Sequence, residues 1–66
     1  MIITSDVSGD QVYITDPLAI EWVDTNERLG ECKLHFANSV LVMKLKVFKA
    51  DVLPHFSQGV QYHGTN

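Results

Sequence analysis

A chain of 66 residues has room for one small domain, and at that size a hydrophobic core alone gives marginal stability, so a staple of some kind is expected. The single cysteine, Cys32, excludes an intrachain disulfide and points to a reducing, cytoplasmic setting. A net charge of −3 argues against double-stranded nucleic acid and anionic membrane surfaces as partners, because both attract an excess of lysine and arginine.

The remaining composition narrows the class further. There is no apolar run of about 18 residues to span a bilayer. The opening residues, MIITSDVSGD, lack the basic region and long apolar stretch of a signal peptide. With 45% hydrophobic residues the chain is not a disordered tail. No disulfide and no metal motif is available, so self-association is the expected staple. Charge is unevenly spread: all five basic residues (Arg28, Lys33, Lys44, Lys46, Lys49) fall between positions 28 and 49, whereas Asp6, Asp10, Asp16, Glu21 and Asp24 precede them.

Residues 2–4 suit a short strand, residues 5–10 (SDVSGD) carry the Ser, Asp and Gly chemistry of a loop, and residues 11–14 resume as a strand, which together predict a hairpin. Thr15, Asp16 and Pro17 break it. For residues 18–24 (LAIEWVD) a helix and a strand compete. The segment is short for a helix and its Ile, Trp and Val suit a sheet, so a strand is expected, with Ile20 and Trp22 opposite Ala19, Glu21 and Val23.

Residues 24–30 (DTNERLG) form a polar connection in which Gly30 can take a positive φ. Residues 31–36 then predict a strand with Cys32, Leu34 and Phe36 on one face and Glu31, Lys33 and His35 on the other, followed by a tight loop of Ala37, Asn38 and Ser39. From Val40 the alternation predicts a long strand. Leu41, Met43, Leu45 and Val47 take a core face, and Val40, Val42, Lys44, Lys46 and Phe48 take the opposite one.

A short helix of residues 52–58 is expected next, capped by Asp51, with Pro54 in its first turn, Gly59 past its end and Val52, Leu53 and Phe56 on its apolar side. Residues 60–66 (VQYHGTN) read as a tail that is either disordered or adds to a neighbouring subunit. The fold class is therefore α+β and mostly β: an antiparallel meander of about four to five short strands over residues 1–59, with one short C-terminal helix. From Val12 to Phe56 this order of elements resembles, in hydrophobic pattern, the small flagellar FlbD-like proteins; no specific motif is shared, and the resemblance carries no function to this chain.

Catalytic signatures are missing: there is no GxSxG, P-loop, GxGxxG or HExxH. Cys32 and His35 have CxxH spacing, but residues three apart on a strand face opposite ways and cannot grip one ion or act as a nucleophile pair. Glu21 and Asp24 are a carboxylate pair of the kind usually solvated on a surface. A chain this short has little interior for a desolvated active site, so no enzyme, cofactor or metal site is expected.

Binding remains. In the first reading Val40, Val42 and Phe48, with Trp22, form an apolar patch that docks on another copy or on a protein target, since aromatic anchors bury much area at small entropic cost. Size then suits an inhibitor or adaptor, of the accessory type found in phages and mobile elements. In the second reading, homo-oligomers create inter-subunit pockets in which Lys44, Lys46, Lys49 and Arg28 pair with a small anionic nucleotide-type ligand, and Trp22, Tyr62 or Phe48 stacks on its base. The plainer alternative for Lys44 and Lys46 is a solvated strand face that discourages edge-to-edge aggregation.

Overall fold

The structure is a computed structural model that describes residues 2–15 and 19–56, together with the backbone of residues 62–65. It is α+β and mostly β. Strands β1 (Ile2–Thr4) and β2 (Gln11–Tyr13) form an antiparallel ribbon. Strands β3 (Trp22–Asn26), β4 (Glu31–His35) and β5 (Val40–Lys44) form an antiparallel meander, and β6 (Tyr62–Thr65) adds to the far side of β3 in parallel. The sheet order is thus β5-β4-β3-β6. Where the sequence suggested a free or exchanged tail, residues 62–65 pair with a strand of their own chain.

Period-two patterning explains the core. Val23, Cys32, Leu34, Leu41 and Met43 face one way, in register across the meander (Val23 opposite Leu34, Leu34 opposite Leu41, Cys32 opposite Met43), and all are buried. Ile3 and Ile14 from the ribbon, Ile20 from the approach to β3, and Leu45, Phe48 and Val52 from beyond β5 close over this inner face. Leu53 and Phe56 pack against the cluster, as their predicted helical face requires. The expected pairing of Ile20 with Trp22 on one side does not occur. β3 starts at Trp22 and runs to Asn26, so Ile20 lies ahead of the regular strand and joins the core, while Trp22 points to the other face.

Two turns shape the meander. Residues 27–30 link β3 to β4: Asn26 Oδ1 accepts from the Leu29 amide at 3.2 Å, the Gly30 amide donates to Glu27 O at 3.2 Å, and Gly30 has φ +66°. Open space surrounds a Cβ built at Gly30, so it is the positive φ that calls for glycine. Between β4 and β5 the Phe36 amide donates to Ser39 O at 2.8 Å, closing the tight loop expected at residues 37–39.

The long strand expected from Val40 to Phe48 stops at Lys44. The Leu45 amide donates to Gly30 O at 2.8 Å, the last bond of the ladder, and beyond Gly30 the neighbouring chain turns away. With no strand left to pair with, the backbone must satisfy its own polar groups, and it does so by coiling. Leu45–Val47 forms one α-helical turn (α1), Phe48–Val52 a π-helical turn and Leu53–His55 a 3-10 turn. Leu45, Phe48 and Val52 recur at i, i+3 and i+7, the period of a helix face, and all three are buried. The helix predicted to begin at Val52 therefore begins seven residues earlier, and Asp51 sits within it instead of capping it. The predicted break at residues 16–17 and the predicted helix end at residues 57–59 lie outside the described residues.

Candidate functional site

The register that buries one face of the meander lays out the other in three rows. Trp22, His35 and Val40 form the first row, Asp24, Lys33 and Val42 the second, and Asn26, Glu31 and Lys44 the third. The rows grade from aromatic and apolar at one end to polar and charged at the other. Acid and base stand opposite each other in both charged rows, Asp24 across from Lys33 and Glu31 across from Lys44, an arrangement that favours the native register.

At the apolar end the Trp22 indole and the His35 imidazole stack with ring centroids 3.7 Å apart and planes 5° from parallel. Both residues are half-buried. His35 Nε2 is buried and has no hydrogen-bond partner among the described residues. A buried polar atom left unpaired costs about 1–3 kcal/mol, so most native groups of this kind find a partner. Next in the row, Val40 is 53% exposed, and Val42 beside it is half-buried. A depression of ≈ 240 Å³ lies over the charged rows, lined by Asp24, Asn26, Leu29, Glu31, Cys32, Lys33 and Val42. Sites that enclose a small organic ligand run to roughly 300–1,000 Å³, so this one is shallow for such a role.

The predicted site residues fall into separate groups. Val40 and Val42 lie on the outer face as the alternation requires, and the register of β3 against β4 brings Trp22 onto the same face. Phe48 does not join them: it is fully buried, 6.5 Å between ring centroids from Phe56, and belongs to the core because the chain coils before reaching it. It is withdrawn from both the interface and the stacking roles. Lys44 is exposed at the charged end of β5. Lys46 and Lys49 are exposed on the helical segment, where they line an open depression with Gly30, Leu45 and Ala50. Arg28 is exposed in the turn before β4, and the side chain of Tyr62 lies outside the described residues. Trp22 and Lys44 sit four residues apart along the sheet, roughly 13 Å at strand spacing. A single chain therefore does not gather these cations around the tryptophan.

Cys32 and His35 lie on opposite faces, as their spacing demands. Burial, with the nearby carboxylates of Asp6 and Glu31, pushes the Cys32 thiol up to about 11, so it is a neutral core group at physiological pH. Among the described residues no three His, Cys, Asp or Glu side chains cluster in a way that could hold a metal ion, and no helix is long and apolar enough to cross a membrane.

Sequence reasoning placed His35 on the surface and missed its stack on Trp22. The signal was present once a strand was assigned to each: two aromatic rings outward on neighbouring antiparallel strands meet if the register makes them opposite, and here it does. Compared with protein-family models, curated proteins and solved structures, the chain matches none.

Proposed function

We propose that this is a non-enzymatic binding protein that works through protein–protein contact at the outer face of its sheet, as a homo-oligomer or on a protein target, in the manner of a small inhibitor or adaptor such as a phage accessory factor. The observation that carries the reading is the apolar end of that face, where Val40 is exposed beside the half-buried Trp22–His35 stack and the half-buried Val42. A stacked indole and imidazole flanked by an exposed valine make the kind of aromatic and apolar anchor that a protein partner buries. Trp22 offers a rigid aromatic anchor, Val40 and Val42 the apolar surround, and the opposed charges of Asp24, Lys33, Glu31 and Lys44 a polar rim.

Light scattering across a concentration series, paired with capture of binding proteins from a host lysate, tests the reading. A defined oligomer, or a single captured protein, that is lost in the Val40→Asp variant supports it. A strictly monomeric chain that captures nothing overturns it.

A second reading, in which assembly builds pockets for a small anionic nucleotide-type ligand, draws on Lys46 and Lys49 flanking one open depression. It requires a neighbouring subunit to bring an aromatic platform to those lysines. A ligand that binds only the folded form raises the melting midpoint. A flat response to a panel of mono- and dinucleotides removes this second reading and leaves the first untouched.

A further inference from the structure

β5 is an edge strand of the four-stranded sheet, and edge strands present unpaired amides and carbonyls to any other strand that arrives. Here the backbone groups that face outward can be named. The flanking bonds, Phe36 N to Ser39 O and Leu45 N to Gly30 O, fix the phase of the β4–β5 ladder, so Leu41 and Met43 bond to β4 while Val40, Val42 and Lys44 turn their backbone groups away from it. Two of these outward groups are already taken. Ser5 Oγ donates to Val42 O, and the Lys44 amide donates to Asp6 Oδ1 at 3.0 Å. Both side chains come from the loop between β1 and β2, 37 and 38 residues away in sequence.

The loop is built to hold them there. Among the described residues Ser5 is the one buried polar residue, 2% exposed. Its Oγ also accepts from the amides of Val7 at 3.1 Å and Ser8 at 2.9 Å. Its own amide donates to Asp10 O at 2.8 Å and its carbonyl accepts from the Gly9 amide at 3.0 Å, where Gly9 has φ +81°. Every polar group of Ser5 is thus engaged, and the loop's conformation delivers Asp6 to the next outward amide along β5.

We propose that Ser5 and Asp6 form a side-chain latch that occupies the pairing edge of β5 and closes it to strand addition by a second copy of this chain. The latch mimics a partner strand by offering a donor to a carbonyl and an acceptor to an amide at adjacent outward positions. It does so with side chains, which cannot propagate a ladder. Self-association in the intact protein is thereby directed away from the β5 edge, whatever use is made of the sheet's outer face.

Asp6 is exposed, so Asp6→Ala tests the latch with little threat to folding. Loss of one charge-assisted hydrogen bond is expected to speed exchange of the Lys44 amide by roughly tenfold or more. Sedimentation velocity should then show mass beyond that of the wild type at equal concentration. Asp6→Asn keeps the acceptor oxygen and is expected to behave as wild type. N-methylation of the Val40 amide in a chemically ligated chain removes an outward donor at the first position of β5 and leaves the valine side chain on the outer face. Added to Asp6→Ala, it should abolish the extra mass. Ser5→Ala gives a second route to the same release. An unchanged Lys44 exchange rate in Asp6→Ala overturns the latch. Faster exchange without added mass overturns its role as a guard, and added mass that survives N-methylation of the Val40 amide places the association at another surface and overturns it equally. A wild-type chain that proves monomeric bears on the binding function alone, because the latch is read from released variants against that same wild type.

Discussion

The two faces of the β3-β4-β5 meander share one backbone and one register, yet they are finished to different degrees. On the inner side Val23, Cys32, Leu34, Leu41 and Met43 are buried and Thr25 at the edge is half-buried, and Ser5, the one buried polar residue among those described, has its hydroxyl, amide and carbonyl all hydrogen-bonded. On the outer side an imidazole nitrogen is buried with no partner among the described residues, and a valine stands half in solvent. Since strand propensity and ladder bonds are common to both faces, the difference lies in what the rest of the chain brings to each. The ribbon and the helical segment close the inner face. The outer face is left partly open, with Val40 and Lys44 exposed on it.

Substitutions that act on one face and spare the other put this contrast to the test. The largest effect is expected inside: Phe48→Ala removes a fully buried ring and should cost about 3–5 kcal/mol by denaturant melting. A cost below about 1 kcal/mol would mean that Phe48 is not the core residue its burial implies.

Cys32 probes the inner face through pH. Its thiol is raised from 9.0 to about 11, so the folded state holds a proton that the unfolded chain releases. The associated stability is present below pH 9 and is lost as pH rises through 11. Relative to Cys32→Ala, the wild type should lose about 2–3 kcal/mol across that window. Parallel curves for the two proteins would contradict the buried placement of the thiol.

The outer face is expected to respond with the opposite sign. His35→Phe preserves a ring for Trp22 to stack on and removes a buried nitrogen that has no partner among the described residues, so the chain should gain about 1 kcal/mol. A loss of stability would show that Nε2 is satisfied within the chain. Smallest in stability is Val40→Asp, expected within about 0.5 kcal/mol of wild type because the side chain is exposed. Its effect belongs to association, read by light scattering. If association survives it unchanged, the outer face is not the contact surface.

Much of the frame was readable residue by residue. Alternation in residues 31–36 and 40–44 identified the inner and outer sets, Gly30 marked its own positive φ, and SDVSGD announced a loop. The error at Leu45 has a physical cause. Leu41, Met43, Leu45 and Val47 continue a period of two, while Leu45, Phe48 and Val52 begin a helical one, and Leu45 satisfies both. Local pattern does not say where a neighbouring strand ends, and it was the turn at residues 27–30 that left β5 without a partner beyond Lys44. The same limit moved Phe48 from the expected interface to the core. It also hid the stack of His35 on Trp22, which depends on the register of two strands, and the reach of Ser5 and Asp6 to a strand far along the chain.

Composition and periodicity by themselves determined a small, mostly β α+β chain, its hairpins, its buried set along β4 and the first half of β5, and the outward placement of Val40 and Val42. These follow from side-chain alternation and turn chemistry, which act over a few residues. Tertiary structure alone decided where β5 stops, which cations share a surface, that residues 62–65 return to β3, and that the edge of β5 is covered. Each of those depends on which backbone donors and acceptors remain unpaired once the sheet has formed, and that is settled only when distant segments meet.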